Sequence, residues 1–422
     1  MKISILTLGC KVNQYESESI AYDLTKLGHQ VVFSVEPADA YVLNTCAVTN
    51  EAERKSRGMI AKINKANPLA PIYVCGCSSQ NNIDNFSKFE NVKAILGTSN
   101  KNKIVELINQ QSDARYINTE ISSTYQDVYT AKGERTRTVI KIQTGCNNFC
   151  SYCLIPYIRG RERSRCFDSV KREIDFQATF SKEIVFTGIN LSAYGKDLDP
   201  QLSLKDVALY MRKHPNVRFK FSSLEQNIIT KDFLEILKQT PNFAPHFHLS
   251  LQSGSDSTLK YMNRKYKSDE FYSKVKLIRE TFENASITTD IIVGFPTETD
   301  EHFEESYKFA QKCMFSKMHI FPYSKRSGTV AANMKNIATD VKSRVEKLSL
   351  LDKQLSSNFI QSSIGKTFSV IIETKKDGDY LEGHTENYIK CYIKDNEKTS
   401  INDLVKVKLI KEYKDGAIAS II

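Results

Sequence analysis

The chain has 422 residues, 41% of them hydrophobic, and its lysines and arginines outnumber its acidic residues by ten. This length accommodates two or three domains with ample core, and the basic surplus favours a polyanionic partner such as nucleic acid. No apolar run is long enough to cross a bilayer or to serve as a signal peptide, so we expect a cytoplasmic protein without a membrane partner. The ten cysteines of such a chain indicate metal binding or catalysis rather than disulfides.

The N-terminal part alternates short apolar runs with amphipathic segments. Such alternation is typical of a doubly wound parallel α/β domain. The predicted strands are 3–8, 40–43, 72–75 and 93–96, and the predicted helices are 16–27 and 52–66. We assign residues 1–110 to this domain and the polar stretch 111–131 to a linker.

A longer strand–helix series follows in residues 132–361. Its predicted strands are 138–142, 183–186, 218–221, 246–249, 286–293 and 318–321. Six such βα units predict a partial barrel, with the active site in the loops that follow the carboxyl ends of the strands. A helix that opens near Asp300 and another over 339–359 complete this part.

Residues 362–422 change to alternating strands over 367–372, 387–393, 404–410 and 417–422, which predicts a small five-stranded all-β barrel. Small barrels of this kind often bind RNA. From Lys366 onward, however, ten basic residues balance ten acidic ones. Any RNA contact of this barrel must therefore use a local face rather than a basic funnel.

Three cysteines form the most informative motif of the sequence. Cys146, Cys150 and Cys153, which we call the motif trio, follow the spacing Cys-x3-Cys-x2-Cys. Three thiolates can hold three irons of a four-iron cluster and leave the fourth iron open, whereas ferredoxin clusters use four cysteines. A zinc knuckle needs a fourth ligand at short spacing, and the next candidate, Cys166, is thirteen residues on. Three buried cysteines are the other alternative.

A second set of cysteines is visible only through the predicted fold. Cys10, Cys46 and Cys77, the strand-end trio, each follow a predicted parallel strand. Such strand ends converge on one crevice, so these thiols can form a second cluster site, or they are three unrelated buried cysteines. Cys75 competes with Cys77 for the third position. Strand alternation and the turn that Gly76 permits favour Cys77.

Basic residues surround the motif trio. Between Ala131 and Arg172 there are ten lysines and arginines but three acidic residues. Four of these arginines are candidate contacts for RNA phosphates or for a cofactor carboxylate, and the alternative is an ordinary solvated charged face. They are Arg159, Arg161, Arg163 and Arg165.

Several long segments, in the same order along the chain, resemble motifs of the methylthiotransferases, a radical S-adenosylmethionine (SAM) family. They are 8–17 (LGCKVNQYES), 153–165 (CLIPYIRGRERSR), 251–256 (LQSGSD), 293–298 (VGFPTE), 321–324 (FPYS) and 382–388 (EGHTENY). The resemblance implies an N-terminal cluster domain, a radical SAM barrel and a C-terminal TRAM domain. Segment 8–17 is most similar to the branch that acts on N6-threonylcarbamoyladenosine in tRNA. The other branches act on isopentenyladenosine in tRNA or on an aspartate of a ribosomal protein.

The resemblance implies an enzyme that methylthiolates C2 of N6-threonylcarbamoyladenosine 37 in the tRNA anticodon stem-loop, with an electron donor and a sulfur source as further partners. It implies two 4Fe–4S clusters and SAM as cofactors. The motif trio would hold the cluster that reduces SAM to methionine and a 5′-deoxyadenosyl radical, and the strand-end trio would hold the cluster that carries sulfur. The residues expected to bind SAM are Thr187, Gly188, Asn190, Glu225 and Gln252, and the alternative for Glu225 is an ordinary helix-capping acid. A non-catalytic iron–sulfur RNA-binding protein is the alternative from another class.

Overall fold

A computed structural model describes residues 1–111, 114–130, 136–375, 380–395 and 399–422. Two of the basic residues counted near the motif trio, Lys132 and Arg135, lie outside the described residues, as do parts of the predicted linker. No helix in the described ranges combines the length and the apolar character needed to cross a membrane.

The N-terminal unit is a six-stranded parallel sheet in the order β2-β1-β3-β4-β5-β6. The strands are β1 (Lys2–Thr7), β2 (Gln30–Val32), β3 (Ala40–Thr45), β4 (Ile72–Gly76), β5 (Val92–Leu96) and β6 (Tyr116–Asn118). The helices are α1 (Lys11–Lys26), α2 (Asn50–Ala66), α3 (Cys77–Asn81), α4 (Asp84–Ser87) and α5 (Lys103–Gln110).

Helices cover both faces of this sheet because alternate strand residues point to opposite sides. Ile3 and Ile5 of β1 belong to the apolar core beneath α1 and α5, whereas Leu6 belongs to the core on the opposite face, beneath α2 and α4. The predicted doubly wound α/β class is therefore confirmed.

The predicted linker contains ordered structure. Strand β6 pairs with β5 at the edge of the sheet, and the backbone carbonyl of Val128 accepts a hydrogen bond from the Tyr15 hydroxyl (2.6 Å). An edge strand buries little surface and needs few apolar residues, which explains why composition alone suggested a polar connection. The exact domain boundaries stay predictions.

The central part is a partial barrel of parallel strands built from two sheets, β11-β10-β7 and β12-β13-β14-β15. The strands of this region are β7 (Arg137–Lys141), β8 (Gln143–Thr144), β9 (Arg163–Ser164), β10 (Glu183–Thr187), β11 (Arg218–Phe221), β12 (Ser223–Leu224), β13 (His246–Gln252), β14 (Ser286–Val293) and β15 (Lys317–Pro322). The helices are α6 (Ile155–Ile158), α7 (Phe167–Ala178), α8 (Leu204–Met211), α9 (Lys231–Lys238), α10 (Asp256–Tyr261), α11 (Ser268–Thr281), α12 (Asp300–Cys313) and α13 (Val341–Gln361). All six predicted strands are present. The short β8 and β9 form a separate antiparallel pair.

The C-terminal unit is a closed barrel in the order β16-β17-β18-β20-β19, as the alternating pattern predicts. Its strands are β16 (Thr367–Lys375), β17 (Tyr380–Thr385), β18 (Lys390–Lys394), β19 (Leu404–Tyr413) and β20 (Gly416–Ile421). The sequence patterns missed β17, because Glu382, Gly383 and His384 have a weak preference for strands. Gly383 is required there, since a β-carbon would overlap the carbonyl oxygen of Ile371 on β16.

The small barrel docks at the amino-terminal ends of the central strands. Arg218, the first residue of β11, donates hydrogen bonds to the backbone oxygens of Ser369 (2.9 Å) and His384 (3.1 Å). Tyr388 donates from its hydroxyl to Glu183, the first residue of β10. This docking places the C-terminal unit beside the interior of the partial barrel.

Candidate iron–sulfur site between two cysteine trios

The motif trio lies in the loop that follows β8, near the carboxyl end of β7. A left-handed glycine, Gly145 (φ +74°), opens this loop, and a side chain there would overlap the backbone of Arg161. The half-buried sulfurs accept hydrogen bonds from nitrogen donors. The amide of Asn148 donates to Cys146 Sγ (3.4 Å), the amide of Ile155 to Cys153 Sγ (3.4 Å), and Arg264 Nη1 to Cys150 Sγ (3.4 Å). These donors are suited to thiolate ligands.

Without a metal ion, burial favours the neutral form of the Cys146 and Cys153 thiols by raising their pKa values. The pKa of Cys146 is raised to about 11 and that of Cys153 to about 12, mainly by burial and to a lesser extent by the neighbouring sulfurs. A metal centre reverses this preference, because a cysteine coordinates metal as a thiolate. The trio therefore has the chemistry of a metal-ligand set rather than that of an activated nucleophile.

Neither trio is compact enough for a single ion. Within the described ranges, one group of histidine, cysteine and carboxylate side chains brings three donor atoms within 4.8 Å of one another, namely His248, Asp290 and His319. A tetrahedral zinc ion with Zn–S bonds of about 2.3 Å would hold two sulfurs only about 3.8 Å apart. The more open cysteine trios fit a multi-iron cluster better than a zinc knuckle.

The strand-end trio is built by three adjacent strands. Cys10 follows β1 and precedes α1, Cys46 follows β3, and Cys77 opens α3 after β4. The pKa of the Cys46 thiol is raised to about 11, mainly by burial and also by Cys77 and Cys10, so both of these sulfurs lie within electrostatic reach of Cys46. Gly9 (φ +108°) permits the approach, because a β-carbon there would lie 3.1 Å from Cys46 Sγ.

The environments of Cys75 and Cys77 differ. Cys75 is fully buried in the apolar core beneath the sheet, together with Ile5 and Leu96. Cys77 instead contacts Leu154 and Ile158, which belong to the segment directly after the motif trio. This placement favours Cys77 as the third member of the strand-end trio.

A buried arginine from the segment that follows the motif trio contacts the strand-end trio. Arg159 is 1% exposed and donates to Cys77 Sγ (3.4 Å), to Glu16 Oε1 (3.0 Å) and to Asn13 Oδ1 (2.6 Å). Glu16 also accepts from Lys101 (2.6 Å) and Lys141 (2.7 Å). Although burial alone would raise it, the cations Arg159, Lys101 and Lys141 hold the pKa of the Glu16 carboxyl well below its usual range. The N-terminal unit and the barrel thus share one charged, water-excluded wall.

The structure corrects the prediction that the arginine run contacts RNA. Arg159 and Arg163 are buried, and Arg165 is 0% exposed and forms ion pairs with Glu173 and with Asp127 (2.6 Å). These three guanidinium groups cannot reach RNA phosphates. Local charge counting missed the acidic partners of Arg159 and Arg165, because Glu16, Asp127 and Glu173 all lie outside the counted window 131–172. Only Arg161 of the run is exposed, and its guanidinium lies 4.6 Å from the centroid of the Phe149 ring.

A cavity of about 320 Å³ opens beside Cys150 at the carboxyl ends of the barrel strands, and Asn190 and Glu225 of the predicted SAM set line it. Glu225 accepts from Asn148 Nδ2 (3.3 Å) and from Arg264. The other three predicted SAM residues are absent from the described part of its wall. Thr187 is buried, Gly188 approaches Gln143, and Gln252 ends β13.

Two functional residues escaped prediction from the sequence. Arg264 contacts both Cys150 and Glu225 but lies 114 positions from Cys150 along the chain. Glu162, an acid within the arginine run, lines the same cavity and accepts a hydrogen bond from the side chain of the predicted residue Asn190 (2.8 Å). No local spacing links such positions, so only their meeting in the fold identifies them.

Comparisons with known proteins agree with this geometry. The model "Uncharacterized protein family UPF0004" matches residues 2–97, and that of the "Radical SAM superfamily" matches residues 140–310. "Threonylcarbamoyladenosine tRNA methylthiotransferase MtaB" of Bacillus subtilis (strain 168) is 35% identical over 100% of this chain and 97% of its own length. The protein of the same name from Thermotoga maritima is 37% identical over 99% and 96%. "tRNA-2-methylthio-N(6)-dimethylallyladenosine synthase" of Bacillus subtilis is 35% identical over 97% of this chain but 83% of its own length.

Among solved structures, the radical S-adenosylmethionine methyltransferase TsrM from Kitasatospora setae superimposes with a TM-score of 0.54 at 13% identity, over 76% of this chain and 72% of that one. This similarity concerns the fold alone. The sequence relatives establish more, since they correspond to this chain over most of their length. The chain belongs to the tRNA methylthiotransferase family of radical SAM enzymes.

Proposed function

We propose that this methylthiotransferase replaces the hydrogen on C2 of N6-threonylcarbamoyladenosine 37 in tRNA by a methylthio group. The observation that carries the proposal is the shared wall of the two trios, in which Arg159 contacts Cys77 and the segment after Cys153 contacts the same thiol. Two cysteine trios on either side of one wall suit a reaction that needs both hydrogen abstraction and sulfur delivery at one carbon.

The cysteines would hold two 4Fe–4S clusters, with Cys146, Cys150 and Cys153 at one and Cys10, Cys46 and Cys77 at the other. When bound, these clusters and SAM supply the one-electron and sulfur chemistry that replaces a non-acidic C–H bond, which no side chain can supply. The N–H groups that donate hydrogen bonds to cysteine sulfurs support both ligand sets, because amide and guanidinium N–H groups stabilise bound thiolates.

The side chains around Cys150 would position SAM. Arg264 and Asn148 fix the Glu225 carboxylate at the cavity wall, where it can accept a hydrogen bond from a ribose hydroxyl. Asn190 lines the same cavity with its amide tied to Glu162. Thr187, Gly188 and Gln252 would act indirectly by shaping the strand ends around this cavity.

The threonylcarbamoyl branch is favoured over its neighbours by two observations. Its named relatives match this chain over nearly their whole length, whereas 17% of the dimethylallyladenosine synthase lies outside the match. The three relatives named above, which are of two kinds, are all named as tRNA-modifying enzymes, which disfavours the ribosomal-protein substrate and a non-catalytic binder. The tRNA anticodon stem-loop, an electron donor and a sulfur source would be the partners, in the cytoplasm.

Mass spectrometry of tRNA nucleosides from cells with and without this gene tests the proposal. We expect 2-methylthio-N6-threonylcarbamoyladenosine to disappear on deletion and its unthiolated precursor to accumulate. Complementation should restore the product with the intact gene and fail with Cys153→Ala. An unchanged threonylcarbamoyl pool, with loss of the methylthio-isopentenyl nucleoside instead, would contradict the branch.

A further inference from the structure

A second, larger cavity of about 1040 Å³ lies inside the partial barrel, where the small C-terminal barrel covers it. It adjoins the cluster site through two segments. Lys11 lines it and directly follows Cys10, and Ser222 and Ser223 line it shortly before Glu225. A group attached to a nucleoside held between the two trios can therefore reach this space.

The wall of this cavity is polar and basic. Six lysines but three carboxylates line it, and only four of its residues are apolar. One of the carboxylates, Asp290, already accepts from His248 Nε2 (3.2 Å). The cavity therefore suits a negatively charged, hydrogen-bonding group and is a poor environment for an aliphatic one.

The strongest indication of an anionic ligand in this cavity is Lys220 in β11. It is 5% exposed, lines the cavity, and forms no hydrogen bond or ion pair with the described residues. Its ammonium lies 3.4 Å from the centroid of the Tyr388 ring. Glu183, the carboxylate that acts on it electrostatically, is shared with Arg137 (3.4 Å) and Arg218 (3.5 Å). Burial, and after it the charge of Lys11, lowers the pKa of Lys220 well below its usual range, so the charged form of this buried side chain calls for an anionic ligand.

Two further polar atoms of the wall also lack partners in the described structure. Ser286 is 2% exposed, and neither its hydroxyl nor Nδ1 of His246 forms a hydrogen bond. Both residues line the cavity. Buried polar atoms are normally satisfied, so an unpaired set that faces one cavity indicates a polar ligand.

We propose that this cavity reads the N6 substituent of the substrate and that Lys220 binds its carboxylate, while Ser286 and His246 bind its neutral polar atoms. The inference rests on the proposed function, since threonylcarbamoyl carries a carboxylate, a hydroxyl and a urea. N6 is attached to C6 of the six-membered ring of adenine that also contains C2, which places the substituent close to the reacting carbon. A dimethylallyl group would leave all three wall residues unsatisfied, so the cavity discriminates between the two modifications.

The test measures binding of four anticodon stem-loops to the reconstituted holoenzyme by anaerobic fluorescence anisotropy. The loops are identical except at adenosine 37, which carries threonylcarbamoyl, its methyl ester, dimethylallyl or no group. The ester keeps the size and removes the charge. We expect the acid to bind about 10- to 100-fold more tightly than the ester, the range for a hydrogen bond to a charged group.

Substitutions then assign this preference to one residue. In Lys220→Met, acid and ester should bind within about twofold of each other. Lys213→Met is the matched control, because the Lys213 ammonium also lies over a tyrosine ring (4.6 Å from the Tyr210 centroid) but is exposed outside the cavity. It should keep the wild-type ratio. Circular dichroism and iron content report whether the variants fold.

Two outcomes overturn the inference. The first is equal binding of acid and ester by the wild type, a comparison that requires no variant to fold. The second is equal weakening of all four loops by Lys220→Met, which would make Lys220 a phosphate contact. Product mass on the acid loop separates the two proposals. If the acid loop is methylthiolated but does not bind more tightly than the ester loop, only the cavity inference is wrong. If it binds more tightly but is not methylthiolated, only the proposed reaction is wrong.

Discussion

Replacing Arg159 by methionine should loosen the junction between the N-terminal unit and the barrel. The guanidinium donates to the Glu16 carboxylate (3.0 Å) and to the Asn13 amide oxygen (2.6 Å). Hydrogen bonds to charged groups contribute about 1.5–3 kcal/mol each, so their loss would cost about 3–6 kcal/mol. Lys101 and Lys141 still neutralise Glu16 in the variant, which places the expected loss near the lower end, about 3 kcal/mol.

Urea unfolding followed by far-ultraviolet circular dichroism measures this loss. A free energy of about 3 kcal/mol corresponds to a midpoint shift of about 1 M or more at the usual dependence on urea. Iron content should also fall, because Arg159 donates to the thiol of Cys77. Arg161→Met is the matched control two positions along the chain, and its exposed side chain should change stability by less than about 0.5 kcal/mol. A urea midpoint for Arg159→Met equal to that of the control would refute the inference that Arg159 stabilises the junction between the N-terminal unit and the barrel.

Three other predictions concern separate parts of the molecule. Cys77→Ala and Cys153→Ala should each lower the reconstituted iron content by roughly four atoms per chain, whereas Cys75→Ala should leave it unchanged. If iron analysis shows a loss with Cys75→Ala and none with Cys77→Ala, Cys75 rather than Cys77 is the third ligand. The lowered pKa of Glu16 stabilises the fold fully above the unfolded value near 4.5, and this contribution is lost as pH falls through the lower folded value. The urea midpoint of Glu16→Gln should therefore vary less with pH below about 5 than that of the wild type, and parallel curves would contradict this. Gly383→Ala should destabilise the C-terminal barrel by about 1–3 kcal/mol through overlap with Ile371, and an unchanged thermal midpoint would contradict the strand packing.

The strands of the central barrel could be predicted because each is a short apolar run between helical segments. Ser286–Val293 and Arg218–Phe221 have the predicted bounds. Strands β6 and β17 could not be predicted in this way. The first is an edge strand and the second contains a glycine, so both are strands because they pair with β5 and β16 respectively. Pairing with a distant strand leaves no local periodicity.

The chemistry expected of the motif trio follows from the sequence alone, because three cysteines in one short loop lie close together whatever the rest of the chain does. The strand-end trio required only the added inference that parallel strand ends converge. The fate of the arginine run was decided by the tertiary structure. Arg159 forms a buried ion pair with Glu16, which lies far away in the N-terminal unit. Arg165 forms one with Glu173, which lies on helix α7. The unpaired state of Lys220 likewise exists only in the fold, because whether a charge has a partner depends on which segments meet around it.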